Sequence, residues 1–455
     1  MNGIKTYYIT DFGAKPNGDL MTDEIQSAID NCFLNGGGIV VVTEGDFYTG
    51  GIRLRSNVTL YLKKNAHLIG SRNPSDYFAI LNDKIEPIKT EDISDVKWLP
   101  PHARTTFDHL NKCGSSWNNA LIRAIDAHNI SIIGEEGAYI DGQDCFDESG
   151  EEYYRGPHAI NMHRCENIKL DGYTIKNSAN WAHALFYCKN IDIQGVEVRG
   201  GHDGIHIRSC TNIVINSCKL YTGDDCIAGF ADLNVTISDC VFNTACSGMR
   251  FGGTNVIVEK CKFTGPAKYI FRGSLNDDDK RSGKTSKLDD NHRYNMLSAY
   301  TYYSDFTMAI KNMPGNIVIE NCEIENTDRF FHYNFSGNEP WQCNKPLNDI
   351  KFKNISAKGI KMPLTMYGSD KSTFVAALEN VRIEFEKNIS KISFIHAAWF
   401  DKIILNNVEV INITGDPIIK TWSKDGDIIL ENFVCGDGNT QLIALTSEDF
   451  VCKAI

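Results

Sequence analysis

Apolar positions along this chain come in short alternating bursts instead of helical stripes, and the bursts return in phase. The phrase Asn, then Ile or Val, any residue, then Ile, Leu or Val begins at Asn129, Asn167, Asn190, Asn212, Asn234 and Asn255. Later copies begin at Asn316 and Asn380, with looser echoes at Asp349 and Asp427. The central copies lie 23, 22, 22 and 21 residues apart, a period that signals a solenoid. β-Branched residues bounded by Gly, Asn and Asp read as strands and turns, and the long apolar stretches at 3.6 spacing that helical repeats need are missing. The expectation is an all-β, single-domain right-handed parallel β-helix over residues 1–455, each coil roughly 4.8 Å beyond the last.

Stacking at this period turns equivalent residues into columns. Asn167, Asn190, Asn212, Asn234 and Asn255 form a turn column, in a residue type that tolerates left-handed backbone. Cys165, Cys188 and Cys210 form a second, and Cys218, Cys240 and Cys261 a third, both read as small buried hydrophobes. One clear helix is predicted, residues 22–34 (TDEIQSAIDNCFL), with Thr22 as N-cap and Ile25, Ile29, Cys32 and Phe33 on one face. Ahead of a solenoid it reads as a cap over an open sheet edge.

Thirteen residues on from each central asparagine stand Asn180, Asp203, Asp225, Ser247 and Lys268. Two further on, Ala182, Ile205, Ile227, Met249 and Ile270 are apolar and expected to point inward. The next position (His183, His206, Ala228, Arg250, Phe271) is then expected to face out. Strict alternation would also bury Asp203 and Asp225, which is costly for an unpaired charge. Gly204, Cys226 and Gly248 suggest a bend that frees the aspartates from that parity.

Composition narrows the partners. The net charge of −12 argues against nucleic acid or an anionic membrane, while leaving room for a local basic patch. No run of 18 apolar residues is present, and the MNGIKTYYITDFGAK start lacks the apolar core of a signal peptide, so a cytoplasmic location is expected. The 15 cysteines show no CxxC or CxxxC pair, which fits a reduced compartment better than disulfides or zinc. The solenoid ends and a large insertion leave room for a homo-oligomer.

The candidate chemistry lies in HDGIHI and DDCIAG, where Asp203 and Asp225 are 22 residues apart and Asp224 adds a third carboxylate. Neighbouring carboxylates push one pKa up and yield a proton donor beside ionised partners. Glycoside hydrolysis uses that division, with carboxyl groups roughly 6.5–9.5 Å apart for inversion and about 5 Å for retention. Aspartates before a strand are also ordinary turn residues, and clustered aspartates are usual calcium ligands.

These residues resemble glycoside hydrolase family 28, the polygalacturonase-like enzymes. ITDFGAKPNGDLMTDEIQSAID is similar to the family's opening coils, and NSANWAHALFYCKNIDI, HDGIHIRSC and TGDDCIAGF to its core. The resemblance implies Asp224 as general acid, with Asp203 and Asp225 holding and activating water, by inversion and without metal or cofactor. Gly223, Asp224 and Asp225 match the family's Gly-Asp-Asp, and Asp203 matches the aspartate of Asn-Thr-Asp, although Gly201 and His202 replace its first two residues. Cys246, Ser247 and Gly248 stand where Gly-His-Gly is expected, leaving Ser247 or Arg250 to take the histidine's role. The family's Arg-Ile-Lys, which grips the galacturonate carboxylate, is replaced by Lys268–Arg272. Arg250, Lys268 or Arg272 would supply a substitute cation, and Trp181, His183 and His206 would line the cleft. Pectin-derived or related plant oligosaccharides are the favoured substrates.

About 40 extra residues separate Asn255 from Asn316. The insertion, residues 272–315, is expected to border the cleft with His292, Arg293, Tyr294, Tyr302 and Tyr303. Arg329, His332 and Trp341 stand out in a second stretch. Two such walls would make a pocket and favour exo action. The competing readings are a polysaccharide lyase on the same scaffold and a non-catalytic carbohydrate-binding solenoid.

Overall fold

The computed structural model describes residues 4–77 except 17, 119–283, 295–303, 314–337, 345–387, 389, 392–413, 417–423, 426–436 and 443–445. The described residues divide into two compact units, one from residues 4–77, 119–228 and 268–283, the other from residues 229–267 and those from 295 onward.

In the first unit a coil is three short strands, each pairing in parallel with its counterpart one coil on. His183–Phe186, Lys189–Gln194 and Glu197–Gly200 lie beside Ile205–Arg208, Thr211–Asn216 and Lys219–Thr222. His183 faces Ile205, Lys189 faces Thr211 and Glu197 faces Lys219, so all three strands step by 22 residues. Period-2 alternation then sorts the side chains. Ile191, Ile193, Ile213 and Ile215 are buried, while Val214 between them stays exposed.

The asparagine column forms as expected. Asn129, Asn167, Asn190 and Asn212 all have left-handed φ between 54° and 59°. Each donates its side-chain amide to the asparagine one coil back, at 2.9 to 3.0 Å. Both cysteine columns are buried and free of disulfides. The helix Thr22–Leu34 forms with its bounds as predicted, but Met21 takes the cap position. Thr22 instead accepts from the Gly50 amide at 2.7 Å. Ile25, Ala28, Ile29 and Cys32 are its buried face, and Phe33 is exposed. Gln26 satisfies both backbone groups of Arg53, at 2.7 and 3.1 Å, so the helix closes a strand edge in the manner of a cap.

In the second unit the coils lengthen: Ile350 faces Ala376 and Ala376 faces Ile403, steps of 26 and 27 residues. Asn380 does not continue the Asn316 column. Asn316 lines up with Asp349, whose carboxylate accepts its backbone amide, and Asn380 bonds to Asn354 at 3.0 Å and Asn407 at 2.8 Å in a separate ladder. Part of the predicted insertion is itself a coil: Met296–Tyr302 pairs with strands on both sides. Tyr302 is therefore buried, its hydroxyl donating to the Pro346 carbonyl at 2.5 Å, and Tyr303 packs edge-on against Phe230. His292, Arg293, Tyr294 and Trp341 lie outside the described residues.

Candidate active site

Two successive turns of the first unit supply the three aspartates. Asp203 precedes the strand Ile205–Arg208, and Asp224 and Asp225 precede the strand that begins at Ile227. The Gly204 amide bonds to the Asp225 carbonyl at 3.0 Å, keeping the two turns in register. A Cβ on Gly204 would stand 2.6 Å from the Cys226 carbonyl oxygen, so this turn closes on its neighbour only with glycine. One carboxylate oxygen from each of Asp203, Asp224 and Asp225 lies within 4.8 Å of the others. Asp203 and Asp225 are 2% and 3% exposed, and the Asp224 side chain is 21% exposed. Solvent meets the cluster through Asp224.

Each carboxylate has a defined setting. Asp203 Oδ2 accepts from His206 Nδ1 at 2.8 Å, and the His206 ring lies flat on Trp181, 3.6 Å away at 7°. The indole and Phe186, buried together, fix the imidazole and through it the carboxylate. Asp224 Oδ1 accepts the Asp225 amide at 3.1 Å, and its Oδ2 lies 4.0 Å from Arg155. Arg155, itself buried, donates to Asn180 Oδ1 at 3.2 Å and to His202 Nδ1 at 3.1 Å. Burial, reinforced by Arg155, holds the His202 ring neutral. Burial also pushes the Glu151 carboxyl up to about 7, against the pull of Arg155 at 3.6 Å. A clustered-carboxylate site of this kind also fits a hard cation such as calcium, although the Arg155 guanidinium already brings positive charge to Asp224.

The remaining sequence candidates separate. His183 points inward, contrary to expectation. It shares its column with Ile160 and Ile205, bonds to Tyr173 Oη and the Gly204 carbonyl at 3.0 Å each, and burial lowers its pKa to about 4. The cause is the 23-residue step from Ile160 to His183, which moves the whole strand one place relative to the count from Asn190. His206 faces the other way, as expected, but is buried under Trp181, so it positions Asp203 and does not line an open cleft. Trp181 is itself largely buried. Arg272 corrects a second expectation. It is fully buried and donates to the carbonyls of Asp144 at 2.5 Å and Lys280 at 3.1 Å, holding loops together instead of facing sugar. Lys268 is exposed, its ammonium 3.9 Å over the Tyr221 ring. In the second unit, Arg250 lies 4.9 Å over the Tyr303 ring, and Ser247 Oγ reaches Thr301 Oγ1 at 3.4 Å.

Arg155, Glu151 and His202 did not stand out in the sequence. Their signal was a gap in the period: Asn129 and Asn167 are 38 residues apart, about 16 more than a coil needs. The surplus leaves the coil at residues 142–157 and brings Arg155 to 4.0 Å from Asp224.

Fold and site together define a parallel β-helix bearing a clustered-aspartate centre. Residues 94–254, about a third of the chain, match the family model described as Glycosyl hydrolases family 28. The protein is similar to a probable polygalacturonase of Vitis vinifera, 28% identical over 233 residues, 48% of this chain and 43% of that one. The chain thus spans less than half the length of the curated relatives first matched, 43%, 36% and 33%. Two solved structures share its right-handed parallel β-helix fold. One is a hyperthermoactive exopolygalacturonase from Thermotoga maritima, with TM-score 0.61 and 17% identity over 90% of this chain and 92% of that one. The other is a family 28 exopolygalacturonase of Yersinia enterocolitica, with TM-score 0.63 and 17% identity over 93% and 79%.

Proposed function

We propose that this protein is a glycoside hydrolase that acts from the end of pectin-derived or related uronate-containing oligosaccharides. The observation that carries this reading is the meeting of three aspartate carboxylates within 4.8 Å, with Asp224 facing solvent and Asp203 and Asp225 behind it. Asp224 donates its proton to the glycosidic oxygen as the bond to the anomeric carbon breaks. Asp203 and Asp225 hold a water molecule, accept its proton, and direct its oxygen to that carbon. His206 and Trp181 keep the Asp203 carboxylate aimed, which converts burial into orientation.

The exo assignment rests on what stands beside the acid. The 142–157 excursion, braced by Arg272 and by Lys280 over the Tyr154 ring, would block a polymer from running past Asp224 on that side. Lys268, in the same unit as the aspartates, remains the proposed cation for the substrate. The family resemblance implies inversion, in keeping with a water held by Asp203 and Asp225, and the anomer of the first product tests it.

The test is incubation of the protein with trigalacturonate in the presence of a chelator, with products followed by NMR and ultraviolet absorbance. Release of saturated galacturonate from one end is the expected result. An unsaturated product, or strict dependence on calcium, would move the assignment to a lyase, and no product from any uronate oligosaccharide would remove the catalytic reading.

A further inference from the structure

A second group of polar residues lies on one sheet of the second unit. Thr301, His332, Thr365, His396 and Lys420 follow one another in register, one per coil. The steps of roughly 4.8 Å are close to the length of one pyranose unit. His332 Nδ1 meets Thr365 Oγ1 at 2.5 Å and receives a hydrogen bond from Arg329 at 3.2 Å. Beside the row, the half-buried Trp422 ring is flanked edge-on by His396 at 5.3 Å and Tyr367 at 6.2 Å.

Arg329 is the anomaly in this group. Its other side-chain contact is the Met362 sulfur at 3.5 Å, and its Nε is buried without a hydrogen-bond acceptor among the described residues. The adjacent carboxylate, Asp328, is already engaged by Lys361 at 3.3 Å and Asn295 at 3.0 Å. A guanidinium drawn out of water, with no carboxylate paired to it among the described residues, is unfavourable unless something else neutralises it. The histidines do not add charge. Burial and Arg329 lower His332 to about 3, and burial, Lys420 and Arg329 lower His396 to about 4. They are left as neutral donors and acceptors suited to hydroxyl groups.

We propose that Arg329 and Lys420, with the Trp422 ring, form a binding site for a carboxylate-bearing sugar, built from residues separate from the aspartate cluster. The carboxylate meets the terminal N–H groups of the guanidinium, Nε itself being buried, in a charge-assisted hydrogen bond. The apolar C–H face of a pyranose lies on the indole, and its hydroxyls meet the histidine row. Choosing a uronate among carboxylate-bearing sugars rests on the proposed function above, whereas the anion site itself does not.

The test is calorimetric titration of trigalacturonate and of a neutral galactotriose into the Asp224→Asn protein, which removes turnover, with and without Arg329→Gln. Arg329→Gln is expected to lose one equivalent of bound trigalacturonate. If the aspartate cluster also binds, the count falls from two to one. If it binds nothing, the count falls from one to zero, and the hydrolase reading fails while this site stands. Lys420→Gln, lying on a strand of its own coil, serves should Arg329→Gln fail to fold, and is expected to weaken the same site roughly tenfold, the effect of losing one charge-assisted contact. Unchanged stoichiometry and affinity in the foldable variants, or equal occupancy by the neutral trisaccharide, would overturn the proposal.

Discussion

Asp203, Asp224 and Asp225 show how a turn residue becomes a chemical one. Each sits at a position where aspartate is ordinary, and it is the 22-residue step that gathers them. That much was legible in the sequence, because the spacing of HDGIHI and DDCIAG equals the spacing of the coils. The surroundings were not. His206 reads as a cleft residue, yet it lies beneath Trp181 with its Nδ1 on Asp203. Arg155 arrives from an excursion whose path no local pattern dictates. Glu151 offers a pH test of that excursion. Its folded pKa, about 7, stands above its ordinary value because of burial. Between about pH 4.5 and 7 the folded chain keeps a proton the unfolded chain has released, so Glu151's contribution to stability is full below that window and lost as pH rises through 7. Glu151→Gln is expected to flatten the fall in urea midpoint from pH 5 to pH 8. An unchanged fall would show that Glu151 is not desolvated as described.

At the scale of the element, the asparagine ladder sets the pitch. Asn190 holds φ 55° and bonds to Asn167 and Asn212, each at 3.0 Å, combining a left-handed turn with a side-chain bond to either neighbour. Asn190→Ala removes both bonds and places a residue unsuited to that backbone region at the turn. A loss of about 1–2 kcal/mol is expected, with Asn190→Gly, which keeps the backbone freedom, losing less. Urea denaturation of the two variants measures the difference, and equal losses would assign the effect to the hydrogen bonds alone. The repeated phrase made this ladder readable, and the capping helix was readable from its apolar face. Register was harder. A single 23-residue step turned His183 into the core, and coils of 26 and 27 residues shifted Asn380 into another ladder. Hydrophobic pattern defines which face a residue takes only when the count between turns is known.

For the molecule as a whole, the solenoid fold agrees with what the repeat implied, and the sites departed from expectation where loops depart from the coil. Arg272, a candidate for sugar, instead braces the excursion beside Asp224, because its long side chain reaches the carbonyls of Asp144 and Lys280. Met296–Tyr302, taken as insertion, is a regular strand. Each unit carries its own polar group: carboxylates in the first, and in the second an arginine whose Nε has no acceptor among the described residues. The most direct measurement is the rate at which wild-type and Asp224→Asn proteins release galacturonate from trigalacturonate, with both folds checked by circular dichroism. A folded Asp224→Asn protein that still binds the trisaccharide but turns it over at least a thousandfold more slowly is the predicted result, of the order expected when a proton donor in an acid–base pair is lost. Turnover at the wild-type rate would contradict the assignment of the aspartate cluster as the site of hydrolysis.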